Sequence, residues 1–131
     1  MKNGDEPAES PDIQPAANLV NDDVLNQLHN DAGPALVSEL IAAYMAETDE
    51  RLVRIAVAIE DGNLDEIGAD AHSMKSSSGT FGALPLQALS ARLEAAAMQR
   101  DAAAVEAVHD ELPAMISETW REFGARGYRR E

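Results

Sequence analysis

The chain contains no cysteine, and aromatic residues make up only 4% of its 131 residues. Without cysteine there can be no disulfide framework, thiolate metal site or thiol nucleophile. Basic residues are also scarce, since 10 Lys and Arg face 24 Asp and Glu, for a net charge of −14. This balance argues against binding to nucleic acid or to an anionic membrane, because both need a basic face.

Long apolar runs are absent as well. No stretch approaches the roughly 18 apolar residues of a membrane span. Met1 to Pro15 carries acidic residues and prolines where a secretory signal would need an apolar segment. We therefore expect a cytoplasmic protein, and the lack of cysteine is compatible with a reducing compartment.

Apolar residues nevertheless account for 45% of the chain, which is enough for one packed core in a single domain. Alanine is abundant and strand-forming residues are scarce, a composition that favours helices. Apolar residues recur at three- and four-residue steps in five segments. The predicted helices are a short one capped by Asn21 and ended by Gly33, followed by four at about 34–61, 64–80, 84–99 and 102–124.

Short connections between long amphipathic helices force neighbouring helices to be antiparallel. The predicted fold is therefore all-α: an antiparallel up-down four-helix bundle with an additional short N-terminal helix as a lid. Residues 1–17 are predicted to be a disordered tail or linker, because they combine prolines with acidic and small residues. The bundle is assigned to residues 18–125, and residues 126–131 are expected to form a C-terminal tail.

Five individual residues carry further expectations. Leu40 belongs to the apolar stripe of the second long segment, and Pro113 should kink the last helix near His109. Trp120 is interpreted as a packing residue. His29 and His109 are interpreted as histidines on helix faces without partners.

The third segment contains an unusual arrangement around His72. At about 100° per residue, His72 points roughly 120° away from the apolar stripe, so we expect it to face water. Gly68, Ser76 and Gly79 share its face, and all three are small. Glycine inside a helix costs about 1 kcal/mol relative to alanine. These positions therefore favour a bare surface on which another protein can dock close to the imidazole.

Lys75 follows His72 by one helical turn and is the nearest cation. A neutral imidazole has a free lone pair and is a competent nucleophile towards phosphorus. A neighbouring lysine supplies positive charge where phosphoryl oxygens develop charge. The arrangement is suited to accepting a phosphoryl group, although an exposed histidine with a nearby lysine is also compatible with an ordinary surface.

Other kinds of site find no support in the sequence. None of the three histidines stands at a metal-ligand spacing with another, and no calcium-loop pattern of acidic residues occurs. The serines and glycines after Lys75 are in the wrong order for a phosphate-binding loop, and there is no Gly-x-Ser-x-Gly motif.

The sequence resembles histidine-containing phosphotransfer (HPt) domains. The similarity lies in the run Ala71-His72-Ser73-Met74-Lys75-Ser76-Ser77-Ser78, followed by Gly82-Ala83, Leu86, Leu89 and Leu93-Glu94. The family pattern is Ala-His-x-Leu-Lys-Gly-Ser-Ser, then Gly-Ala, then Leu and Leu-Glu. The resemblance extends over about Asp22 to Phe123. Met74 replaces leucine and Ser76 replaces the usual glycine, and the second change puts partner preference in question more than activity.

This resemblance implies a four-helix bundle with an appended N-terminal helix and a histidine phosphotransfer role in a two-component phosphorelay. His72 would be phosphorylated on a ring nitrogen and would exchange the group with an aspartate of a response-regulator receiver domain. Lys75 matches the phosphoryl-stabilising lysine of the family. The implied partners are a receiver domain and a hybrid sensor histidine kinase.

The expected protein is a monomer without its own cofactor or ATP-dependent activity, and Mg²⁺ would be bound by the receiver. Two alternatives remain. One is a non-catalytic helical adaptor that binds a receiver or another protein without carrying phosphate. The other is a dimerising kinase domain, which is disfavoured because the apolar stripes are satisfied within one chain.

Overall fold

The computed structural model describes residues 18–130, which form five α-helices and no β-strand. The helices are α1 (Asp22–Ala32), α2 (Pro34–Asp61), α3 (Leu64–Thr80), α4 (Leu84–Met98) and α5 (Ala102–Ala125). The long helices α2–α5 form the predicted all-α four-helix bundle, and α1 is the predicted additional helix. The expected tail or linker at residues 1–17 lies outside the described residues. No helix in the described part is both long and apolar enough to cross a membrane.

Local signals set the ends of these helices. The side chains of Asn21, Asn63 and Asp101 each accept a hydrogen bond at 3.1 Å from the backbone N–H three residues later. Such N-caps satisfy donors that have no partner within the helix. Gly62 ends α2 in the left-handed conformation, with a φ of 68°, which glycine adopts without a steric penalty. Helix ends predicted from the sequence therefore lie close to the observed ones.

One apolar core runs through the bundle. Its most completely buried large side chains are Val37, Ile41, Ile55, Ile67, Met74, Leu86, Leu93, Val105, Leu112 and Phe123. Trp120 is buried, contacts the ring of Tyr44 edge-on and donates its indole N–H to Asp49 at 3.0 Å. The interpretation of Trp120 as a packing residue is confirmed.

Two expectations about the long helices have different outcomes. The assignment of Leu40 to the buried stripe is wrong, because 41% of this residue is exposed. Ile41 and Tyr44 point into the core, whereas Leu40 is turned by about 100° from Ile41, to the edge of the stripe. Helix α5 continues through Pro113, and the kink near His109 stays a prediction.

A buried carboxylate joins α2 to α3. Asp70 is only 4% exposed, and its Oδ1 accepts hydrogen bonds at 3.1 Å from both Arg51 and Arg54. Its Oδ2 is buried without a hydrogen-bond partner among the described residues. The proximity of the Asp70 carboxyl group raises the pKa of Glu66. Asp70 therefore sets the register between the two helices, on the opposite side of α3 from His72.

Helix α1 is held against the end of the bundle by contacts that are distant in the sequence. The backbone N–H of Asn21 donates to the carbonyl of Gly82 at 2.8 Å. Arg126 donates to the Asp22 carboxylate at 2.7 Å, and this hydrogen bond lowers the pKa of Asp22.

The C-terminal residues also contact α1. Tyr128 is buried, and its hydroxyl lies 2.7 Å from Nε2 of His29. The expectation that His29 lacks a partner is therefore wrong: its partner is 99 residues away, a distance at which local patterns give no information. Tyr128 belongs to the segment that we expected to form a tail, and the structure places it against the core.

Candidate functional site

The exposed face of α3 presents His72. The flanking residues Ala71 and Met74 are completely buried and orient the helix, whereas 63% of the His72 side chain is exposed. The prediction that this imidazole faces water agrees with the structure. His109, in contrast, is half-buried on α5.

Glu94 of α4 connects His72 to Lys75. Its Oε2 lies 2.8 Å from Nδ1 of His72, and its Oε1 lies 2.6 Å from Nζ of Lys75. Only 17% of the Glu94 side chain is exposed, while 34% of the Lys75 side chain is. One carboxylate therefore uses both of its oxygens to hold the two residues that the sequence singled out.

The charge state of Glu94 follows from these contacts. The hydrogen bond from Lys75 is the main cause that lowers the pKa of the carboxyl group, burial opposes it, and the hydrogen bond with His72 lowers it further. Glu94 is therefore ionised near neutral pH. An ionised carboxylate accepts hydrogen bonds and cannot donate them.

This charge state defines the tautomer of His72. Because Glu94 only accepts, the Nδ1 atom that faces it must carry a proton. In a neutral imidazole the lone pair then resides on Nε2. Nε2 has no hydrogen-bond partner within residues 18–130, so this nucleophilic atom is available at the surface.

The three small residues around His72 have different environments. Ser76 is exposed, and Gly68 is half-buried where α3 approaches α4: a Cβ built on it would lie 3.7 Å from Cβ of Ala97. Gly79 is not bare, because a Cβ built there would clash with the side-chain amide of Gln87. A larger residue at Gly79 must first displace Gln87, and the expected bare surface is restricted to the part near Gly68 and Ser76.

A shallow groove of about 630 Å³ opens beside the imidazole, between the first half of α3 and the last half of α4. It is lined by Leu64, Asp65, Gly68, Ala69, His72, Ser73, Glu94, Ala97, Met98 and Arg100. His72 stands at one end of this groove. The groove is too open to enclose a small molecule, and its form suits contact with another macromolecule.

Sequence reasoning missed the role of Glu94, which it noted only as part of the family pattern. The one feature of the sequence that could have pointed to Glu94 is its place directly after the apolar residue Leu93. Its contact with His72 spans 22 residues and depends on how α3 and α4 are aligned. Among residues 18–130, no group of three or more potential ligands is placed to hold a metal ion.

Comparison with known proteins gives one result. The family model described as "Hpt domain" matches residues 39–121, more than half of the chain. This range includes His72, Lys75 and Glu94. No match was found among curated proteins or among solved structures.

Proposed function

The chain belongs to the Hpt domain family, which gives it a phosphotransfer role in two-component signalling, and from this we propose that His72 is the phosphorylated residue. In this proposal Nε2 of His72 exchanges a phosphoryl group with an aspartate of a response-regulator receiver domain. The observation that carries the proposal is the contact with Glu94: its ionised carboxylate accepts a hydrogen bond from Nδ1, so the lone pair of the neutral, exposed imidazole resides on Nε2.

Transfer to His72 is a single displacement at phosphorus. The Nε2 lone pair forms the N–P bond while the bond between phosphorus and the aspartate oxygen breaks, and the aspartate leaves as a carboxylate. The proton on Nδ1 stays in place, so no proton transfer is needed. As Nε2 donates its electron pair, positive charge develops on the ring, and Glu94 is positioned 2.8 Å away to stabilise it.

Lys75 has a separate task in the proposed reaction. Its ammonium group, which Glu94 holds at 2.6 Å in the structure, would turn towards Nε2 to supply positive charge to the phosphoryl oxygens. Phosphoryl transfer depends mainly on positioning and charge stabilisation, and the carrier needs little further machinery. We propose that any Mg²⁺ is bound by the receiver, and that this chain does not phosphorylate itself from ATP.

A labelling experiment tests the site. A receiver phosphorylated on its aspartate should transfer to the chain a label that survives alkali and is lost in acid, as expected for an N–P bond. His72→Gln should abolish the label while circular dichroism remains helical, because a solvent-facing imidazole does not stabilise the core.

His109→Gln is the matched control. His109 is also a helix residue, but it lies on α5 and takes no part in the contacts that join His72, Lys75 and Glu94, so this variant should label normally. His29 is a less suitable control because it contacts Tyr128. If the His72 variant keeps the label, the site assignment is wrong. If the wild-type chain binds receivers but is never labelled, it is an adaptor instead.

A further inference from the structure

Met98, the last residue of α4, has an unusual environment. At 73% exposed, it is the most exposed large apolar side chain of the described residues. It lines the groove that ends at His72. Burial of this flexible, polarisable side chain by a partner would gain hydrophobic free energy.

The position of Met98 relative to the nucleophile follows from the helix geometry. Met98 is four residues after Glu94, one turn or about 6 Å along the helix. Glu94 itself contacts the imidazole at 2.8 Å. Met98 therefore lies on the order of 10 Å from the reacting nitrogen.

A protein that exchanges a phosphoryl group with His72 must cover this region. Its aspartate has to approach Nε2 to about 3–3.5 Å. A specific interface covers about 800 Å² on each partner, equivalent to a circle with a radius of roughly 16 Å. Even the smaller interfaces of transient signalling complexes, centred on His72, would include Met98.

The groove has the composition expected of a contact surface. Besides His72 and Met98, the groove is lined by Gly68, Ala69 and Ala97, which contribute no large side chains. An ion pair between Asp65 and Arg100, at 3.0 Å, lies at the rim. An apolar centre with a polar edge is the usual anatomy of a protein interface.

We infer that Met98 is an apolar anchor for the receiver domain, and that the groove between α3 and α4 determines which receivers bind. The inference rests on the proposed function, because continuity with the reacting histidine identifies the occupant. The partner is a receiver that places an apolar side chain beside its phosphorylated aspartate, where it covers the groove and buries Met98.

Substitution of Met98 by a polar residue of similar size tests this inference. Met98→Gln should raise the KM for a phosphorylated receiver by about ten- to hundredfold, the range expected when burial of one large apolar side chain is lost. The kcat should change by less than about threefold, because His72, Lys75 and Glu94 remain. Met98→Leu restores apolar area and should bring KM back close to the wild-type value.

Val53→Thr is the matched control. Val53 is 66% exposed on α2 and borders a different hollow, which shares no residue with the groove at His72. This variant also replaces an exposed apolar side chain with a polar one of similar size, and its KM should equal that of the wild type. Thermal melts of all three variants should match, since none of the side chains is in the core.

Labelling of His72 by phosphoramidate separates the possible failures. This small donor needs no docking surface, so Met98→Gln should be labelled at the wild-type rate. If neither phosphoramidate nor a receiver labels His72 in the wild type, the proposed function fails. If His72 is labelled and receivers transfer to Met98→Gln with an unchanged KM, the function stands and the anchor is refuted. A loss confined to kcat also refutes it.

Discussion

Removal of the Glu94 carboxylate is the sharpest test of how the site works. Glu94→Ala deletes the acceptor that lies 2.8 Å from Nδ1 of His72. A hydrogen bond to a charged group contributes about 1.5–3 kcal/mol. At about 1.4 kcal/mol per factor of ten, we expect phosphoryl transfer to slow by about ten- to hundredfold.

An opposing electrostatic effect is smaller. The Glu94 carboxylate and a phosphoryl group on Nε2 would be on the order of 7 Å apart, across the ring, where two unit charges repel by about 0.6 kcal/mol in water and about 2.4 kcal/mol at the effective dielectric constant of about 20 found near a protein surface. Lys75 offsets most of this repulsion, since its ammonium group pairs with the same carboxylate at 2.6 Å and the pair carries no net charge. Loss of the hydrogen bond should therefore dominate, and the variant should be slower rather than faster.

The assay is rapid-quench measurement of transfer from a phosphorylated receiver, together with ¹⁵N NMR of the His72 ring. Glu94→Gln keeps an acceptor for the Nδ1 proton without the charge, so it should be faster than Glu94→Ala. Glu111→Ala is the matched control, because it also removes one negative charge and one ion pair, with Arg92. Transfer by Glu94→Ala at the wild-type rate, with the Nδ1 proton still in place, would refute the assigned role.

Three further predictions concern charge. Lys75→Ala should slow transfer by roughly ten- to thousandfold. It should cost at most about 1 kcal/mol of unfolding free energy, because the Lys75–Glu94 pair is partly exposed. Chemical denaturation and transfer rates check this, and a stability loss large enough to explain the slower transfer contradicts it. Asp70→Ala should cost about 1–3 kcal/mol of unfolding free energy, since Arg51 and Arg54 lose a buried acceptor. Transfer in the folded fraction should stay normal. An unchanged urea midpoint would refute the role of Asp70 in joining α2 to α3. The lowered pKa of Glu94 stabilises the fold above the ordinary glutamate pKa, and this contribution disappears as pH falls through the lower folded-state value. Wild type should therefore lose more stability than Glu94→Gln between about pH 5 and pH 3, and parallel acid titrations of the two proteins would contradict this.

The helices themselves were predictable because their signals are local. Asn63 caps α3 through a hydrogen bond only three residues away, and Gly62 ends α2 through its own backbone conformation. The exposure of His72 was predictable for the same reason, since the periodicity of one helix separates its buried face from its exposed face. The pairing of antiparallel helices followed from short connections.

Details between helices were not predictable in this way. The wrong assignment of Leu40 shows that the edge of an apolar stripe is decided by which neighbouring helix covers it. The missed contact between His29 and Tyr128 joins opposite ends of the described chain. The side chain of Gln87 on α4 covers Gly79 on α3 only because helix packing brings these two positions side by side. Each of these contacts depends on packing, about which a single helix carries no information.

The sequence by itself determined the helical fold, the solvent-facing histidine and the lysine one turn away, because helix periodicity places each of them without reference to the rest of the chain. Only the tertiary structure decided the chemistry of the imidazole. Packing of α4 against α3 brings Glu94 within 2.8 Å of Nδ1 and 2.6 Å of the Lys75 ammonium group. The tautomer, and with it the choice of Nε2 as the free nitrogen, is therefore a consequence of helix packing.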